Sequence, residues 1–188
     1  VNSLCEQCLL LENGRVKQIG PTADVTNAYF EISQGADGSQ LDFTNNPQGD
    51  DIATLLAARL IDREGSQIGH AQIDAGFGIE MTYEVKNVDQ PVIPNLHFFQ
   101  AGMCAFVTSP AALPEVGPGL WKAIAWIPPR LLNEGNYTIN IAGSTMNPPQ
   151  AHFHLQDSFS FQVIEDIHDP SRQGYAQKIP GVVRPLLS

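Results

Sequence analysis

Ile79, Met81, Tyr83 and Val85 alternate with Glu80, Thr82, Glu84 and Lys86. An extended chain turns successive side chains to opposite faces, so this pattern suits a strand with one buried face and one wet face. Tyr137, Ile139 and Ile141 alternate with Thr138 and Asn140 in the same way. Around these two, read as 77–86 and 136–142, further strands are expected near 52–62, 67–73, 95–107, 120–127 and 157–164. Turn-forming runs fall between them: Arg63-Glu64-Gly65, Asn87-Val88-Asp89 and Asn133-Glu134-Gly135-Asn136. Seven short strands without a convincing helix predict an all-β fold, an immunoglobulin-like antiparallel β-sandwich. The Cys–Trp–Cys core of antibody domains is absent, so the expectation concerns architecture alone.

The first 51 residues read differently. Apolar pieces at 8–11 and 15–19 flank Glu12-Asn13-Gly14-Arg15, a hairpin with Gly14 supplying a positive φ. Gly20-Pro21-Thr22 then looks like a helix start with Thr22 as N-cap. Val25, Ala28, Tyr29 and Ile32 follow at i, i+3, i+4, i+7, one apolar helical face, and Gly35 ends it. Residues 34–51 are polar and rich in Gly, Asn and Asp, a linker by composition. The expected division is therefore a hairpin–helix piece over 1–33, a linker over 34–51 and a sandwich over 52–188. At the far end, Asp169–Gly174 reads as a loop and Gly181–Leu187 as a short apolar strand. Such a strand needs an edge to pair with, its own sheet's or a partner's.

Composition narrows the function. The formal net charge is −10 with only ten Lys and Arg. Nucleic acid demands a basic patch for its phosphates, and anionic membranes repel the same charge, so neither is an expected partner. Charged residues make up 16% of the chain against about 25% in an average domain. The wet surface must then be rich in Asn, Gln, Ser, Thr and His, which is also the chemistry of sugar contacts. No apolar run approaches the roughly 20 residues that span a bilayer. The start lacks a secretory signal pattern and an initiator Met, which suggests a piece cut from a longer protein. Three cysteines, Cys5, Cys8 and Cys104, cannot all pair within one chain, an odd set that fits a reducing cytoplasm.

Candidate chemistry is sparse. Cys5 and Cys8 have CxxC spacing, but an apolar run and a hairpin turn follow where a redox site would open a helix, and nothing completes four zinc ligands. His152-Phe153-His154 places two imidazoles on one side of a strand or loop, where His97 or Asp157 could complete a metal site. No spacing fixes a third ligand, and Pro148-Pro149-Gln150 reads as loop, so a polar ligand contact is the preferred role. There is no Gly-x-Ser-x-Gly elbow and no Walker A loop, and Cys104 sits in an apolar strand. Asp50-Asp51 and Glu165-Asp166 read as solvated charge. The expectation is a non-enzyme with no catalytic residue and no metal. Trp121 and Trp126, five residues apart, take opposite faces of one strand. Ile127 before Pro128 reads as inward, which puts Trp121 in and Lys122, Ile124 and Trp126 out. An outward Trp is an interface anchor or a platform for the apolar face of a sugar.

Two stretches carry a resemblance. Residues 1–29, with Val1 to Cys8, Leu11-Glu12-Asn13-Gly14-Arg15-Val16 and Gly20-Pro21-Thr22 through Tyr29, resemble the closing segment of an ABC transporter ATPase domain. Residues 52–188 are similar to the C-terminal extension of ATPase subunits in bacterial O-antigen and teichoic-acid exporters. They carry Leu60-Ile61-Asp62-Arg63-Glu64-Gly65, Ile127-Pro128, Leu132-Asn133-Glu134-Gly135-Asn136-Tyr137, Phe159-Ser160-Phe161-Gln162-Val163 and Gly181-Val182-Val183-Arg184-Pro185. The resemblance implies a cytoplasmic carbohydrate-binding domain that recognises the modified end of a lipid-linked polysaccharide before export. It implies homodimers that exchange a C-terminal strand, here Val182, Val183, Pro185, Leu186 and Leu187. It also implies contact with a membrane subunit through an ATPase domain, peripheral to the inner membrane, with ATP and Mg belonging to that parent and no cofactor in this piece. Outward phase and chemistry nominate His97, Gln100, Trp126, Asn140, His152 and His154 as glycan contacts. A structural docking module that couples two ATPase subunits is the alternative, and a metal-dependent enzyme is the third.

Overall fold

A computed structural model describes residues 7–12, 14–21, 25, 39–86, 89–166, 168–175, 177 and 179–185. Its elements are strands: β1 (Gln7–Glu12), β2 (Arg15–Pro21), β3 (Gln40–Asp42), β4 (Gln48–Gly49), β5 (Ala53–Ile61) and β6 (His70–Gln72) come first. They are followed by β7 (Phe77–Val85), β8 (Ile93–Gln100), β9 (Met103–Val107), β10 (Gly119–Ile127), β11 (Gly135–Met146) and β12 (Pro149–Ile164). One 3-10 turn, Pro170–Arg172, lies near the end. β1 and β2 form the expected hairpin, with Gly14 at φ 76°. The helix placed from Thr22 and the cysteine Cys5 fall outside the described residues; Val25 is described and buried.

The body is a β-sandwich. One sheet runs β10-β7-β5-β3 with β4 also on β5, and the other runs β6-β12-β11-β8-β9. The pairing is not wholly antiparallel as expected, because β6 lies parallel to β12. Three strand bounds also differ. The 95–107 run divides into β8 and β9 at Ala101-Gly102, where φ of 50° and 81° make the tight turn that suits a two-residue hairpin. The 136–142 and 157–164 runs extend toward each other into one long hairpin, because Asn147-Pro148 forms its turn instead of a loop. Within the stretch read as a linker, β3 and β4 pair with β5, and Leu41 and Phe43 pack on the core. Two scattered apolar residues in a polar run were enough to anchor it.

Phe161 of β12 joins the sheets. Its buried ring meets Phe77 of the other sheet edge-on at 5.1 Å between centroids, Tyr137 stacked at 5.8 Å and Phe98 edge-on at 6.4 Å. Burying one such ring is worth about 2–3 kcal/mol from area alone, and removing it would cost about 3–5 kcal/mol with the cavity included. Tyr137 is itself fully buried, and burial pushes its phenol well above the ordinary tyrosine value. Its hydroxyl turns back to the Asn133 carbonyl four residues upstream at 3.0 Å, the corner that immunoglobulin-like sandwiches place at the start of a strand.

That hydroxyl also reaches the Val182 carbonyl at 2.7 Å, and the end of the chain is built around it. Asn133, fully buried, donates its side-chain amide to the carbonyls of Ile179 and Gly181, and its backbone amide to Val182. Val183 bridges Leu132, so residues 179–185 dock on their own chain. Beside them Glu165, whose side chain is fully covered, accepts from Arg172 and Arg184. Arg130 reaches Asp169 at 2.6 Å and Ser171 at 2.7 Å. Burial alone would raise the Glu165 carboxyl, but hydrogen bonds from Arg184 and Arg172 outweigh it and hold it below its ordinary value. Hydrogen bonds from Ser171 and Arg130 hold Asp169 well below its own.

Two outcomes follow from this corner. Tyr137→Phe removes the hydroxyl that the Asn133 and Val182 carbonyls share and leaves Val182 only the Asn133 amide. It should lower stability by about 1–3 kcal/mol in urea titration and speed proteolysis near 179–185 first. Both acids have depressed folded-state values, so their stabilisation is present above the ordinary carboxylate range of about 4 and lost as pH falls through the folded values. Thermal melts of the wild type should therefore drop more steeply below pH 4 than those of Glu165→Gln. Parallel acid profiles for the two would show that the cluster carries no such linkage.

Candidate functional site

The outer face of the five-stranded sheet gathers uncharged polar side chains. Strict alternation along β8 sends Leu96 and Phe98 into the core and Asn95, His97 and Phe99 outward. β11 pairs Asn140 with His97, Ala142 with Asn95 and Thr138 with Phe99 on that same face. β12 adds His154 opposite Ala142 and Ser160 opposite Thr138. The rings of His97 and His154 stand 5.9 Å apart across β11. Asn95 Oδ1 lies 3.0 Å from His97 Nε2, and the Thr138 and Ser160 hydroxyls are 3.1 Å apart. Partial burial, with His154 nearby, holds the His97 imidazole below its ordinary value. A neutral ring at pH 7 offers one donor and one acceptor, the pairing a sugar hydroxyl needs.

Two irregularities in β12 shape this face. Opposite Asn140 the strand carries extra residues, Gln156 to Ser158, with Asp157 at φ 47°. The Asn140 side-chain Oδ1 accepts from the Asp157 backbone amide at 2.8 Å, which fixes the bulge, and Asn140 is only 8% exposed. The other bulge is at His152, which has no partner in the register between Ser144–Ala151 and Gly143–Phe153. One extra residue reverses the alternation locally. His152 therefore turns in, where Nε2 meets the Thr145 hydroxyl at 3.0 Å and Nδ1 meets Asp50 at 2.9 Å. Partial burial would raise the Asp50 carboxyl, but His152 and the amides of Ala53 and Ile52 together hold it low. Phe153 also turns in, with the tip of its ring against Gly143, while His154 turns out.

The six nominated residues accordingly separate. His97, Asn140 and His154 come together. His152 does not share a side with His154, because the bulge sends it inward, so the two imidazoles cannot hold one metal ion. Among the described residues no cluster of three or more His, Cys, Asp or Glu has ligand geometry. Gln100 stands on the phase of Leu96 and Phe98 at the hairpin end, not with His97. Trp126 is outward as expected, with Trp121 turned to the core, but on the opposite sheet. It lies against Gly78, and the Arg63 guanidinium sits 5.0 Å from its ring centre, so a cation already occupies the ring. Sequence reading missed Asn95, Phe99, Thr138 and Ser160; the alternation of Phe98 against Phe99 was the available signal. Cys8 is half-buried in β1, and Cys104 is exposed on β9 instead of buried.

No family model matches this chain, and neither does any curated protein. Among solved structures, fourteen chains match. One is the C-terminal domain of Wzt, with a TM-score of 0.60 and 14% identity over 79% of this chain and 95% of that one. The fold is that of a Wzt C-terminal domain. At this identity the likeness is one of architecture, and the site must be argued from its own side chains. Among the described residues no helix is long and apolar enough to cross a membrane.

The bulge at His152 depends on Gly143. A Cβ there would stand 2.2 Å from the Phe153 ring. Gly143→Ala should therefore destabilise by about 1–3 kcal/mol as the ring is displaced, read as a lower denaturant midpoint. An unchanged midpoint would mean that Phe153 does not need this floor.

Proposed function

We propose that this chain recognises the terminal sugars of a lipid-linked, O-antigen-type polysaccharide as the specificity domain of an ABC exporter. The observation that carries the reading is the convergence of His97, Asn140 and His154 beside Phe99 on one polar sheet face. The neutral His97 imidazole, amides and hydroxyls bind sugar hydroxyls without the desolvation cost of full charges, and Phe99 offers an aromatic surface next to them. The likeness of fold to the Wzt domain supports the same reading, as does the resemblance of the sequence motifs to exporter ATPase extensions. In this reading the domain is non-catalytic and cytoplasmic. ATP, Mg and the membrane subunit belong to the transporter that it joins. The slot on Leu131–Asn133 that holds residues 179–185 would hold a second copy's segment equally, which makes Val182, Val183 and Pro185 the exchangeable strand. Leu186 and Leu187, assigned with them, lie outside the described residues.

Titration with the cognate capped polysaccharide, followed by amide shifts, tests the site. His97→Ala and His154→Ala should each weaken binding roughly 5–10-fold, the worth of one or two hydrogen bonds. Trp126→Ala and Gln100→Ala should leave it unchanged. Affinity should be flat near pH 7 and fall only below the ordinary histidine range, where His97 gains charge and loses its acceptor. A wild-type chain that shows no saturable shift with the native cap present would sink the reading.

A further inference from the structure

His152 is the one buried histidine among the described residues, and the glycan face makes no use of it. Both ring nitrogens are taken by side chains of other elements: Nε2 by the Thr145 hydroxyl of β11, Nδ1 by the Asp50 carboxylate. Thr145 is buried as well. Asp50 comes from the other sheet, one residue after β4. Its second oxygen accepts the amides of Ile52 and Ala53 at 2.9 and 3.0 Å, and its own amide donates to the Ala53 carbonyl. One carboxylate thus fixes the entry into β5 and crosses to β12 of the opposite sheet. Gly49 lets the chain pass this close, at φ 151°, where a Cβ would strike the Ala53 carbonyl. The far end of the relay is held separately, because Gln90 grips the hairpin tip through the backbone of Met146 and Asn147.

The inward turn of His152 is therefore conditional. A buried imidazole nitrogen without a partner is costly, so the ring stays inside only while Asp50 is docked. Without the inserted residue, ordinary alternation would put His152 on the same side of the strand as His154. We propose that Asp50, His152 and Thr145 form a clasp that joins the segment over 39–52 to the strand carrying His154. Docking of that segment sets the place of the His154 ring, and Asp50 and His152 act as positioning residues of the glycan face. Coupling between two sites is reciprocal. A sugar held by His154 stabilises the bulged strand and, through His152, the docked segment on the other sheet. That segment leads back to the N-terminal hairpin, so an occupied face is reported toward the ATPase end of the exporter subunit. This last step rests on the glycan reading; the effect of Asp50 on His154 does not.

The test follows the histidine rings of the full chain by proton–nitrogen NMR and its backbone amides by hydrogen exchange. Asp50→Ala should shift the ring signals of His154 as well as His152 with no sugar present. Thr145→Val keeps its shape and lies on the other sheet from the segment, yet should speed exchange at Asp50, Ile52 and Ala53 about fivefold. Glu80→Gln weakens a different ion-pair cluster, with Arg59 and Lys122, and should do neither. With the cognate capped polysaccharide as probe, Asp50→Ala should weaken binding about fivefold, and the bound wild type should protect those three amides. An unmoved His154 ring in Asp50→Ala, unchanged exchange in Thr145→Val, or the same responses in Glu80→Gln overturns the clasp. If Asp50→Ala does not fold, the Thr145→Val comparison decides alone. A wild type without a saturable shift sinks the glycan reading, and the sugar-free comparisons still decide the clasp. A wild type that binds, beside an Asp50→Ala chain of equal affinity, overturns the coupling.

Discussion

Phe161 is the residue through which the two sheets hold each other. A sandwich is stable only if the inner faces interdigitate, and here one ring contacts the opposite sheet, its own neighbours and the corner tyrosine. Its stacking partner Tyr137 carries the polar end of the same contact outward to Asn133 and Val182. Apolar packing at the centre is thereby coupled to the docking of the chain's end. Tyr83 against Phe153 repeats the cross-sheet contact farther along at 6.0 Å. Phe153 takes that place only because Gly143 gives it room and His152 shifts the phase.

Alternation made the sheets readable. The inward set of β7 and β10 agrees with the sequence reading, down to Trp121 inward and Trp126 outward. What alternation cannot reveal is where it breaks. His152 and His154, two residues apart, are on one side in any regular strand; a single inserted residue separates them, and nothing local in Ala151-His152-Phe153 announces it. The compensating partners, Asp50 and Thr145, are respectively about a hundred residues away and across a hairpin turn. Gln100 failed for a simpler reason, since it differs from His97 by an odd number of residues. Trp126 was right in phase but on the other sheet, because sheet membership depends on long-range pairing that phase does not encode.

The corner at Asn133 shows the same boundary. Asn133-Glu134-Gly135-Asn136 has the composition of a surface turn, yet Asn133 is fully buried. Its amide satisfies the carbonyls of Ile179 and Gly181, which a buried chain end would otherwise leave unpaired. Likewise Glu165, read as solvated charge, is covered and stands between two arginines. A covered carboxylate is tolerated only with such partners, and removing one of them would cost about 3–5 kcal/mol. Turn propensity and charge describe the unfolded preference of a segment; its partners decide whether it is wet.

Charge is then distributed by task. Three of the ten cationic residues, Arg130, Arg172 and Arg184, are committed to the acidic corner at the chain's end. Arg59 and Lys122 converge on Glu80 on the outer face of the other sheet, and Arg63 is held against Trp126. With so few cations, and these engaged, the face around His97 and His154 holds no Lys or Arg, and exposed Met103 and Val107 lie on β9. The three surfaces therefore favour different partners. The acidic corner holds the chain's own end, the polar face presents side-chain donors and acceptors, and the β9 edge presents unpaired backbone groups. A chain with more lysine spread over its surface would be better protected at β9, but it would lose the contrast that keeps these contacts separate.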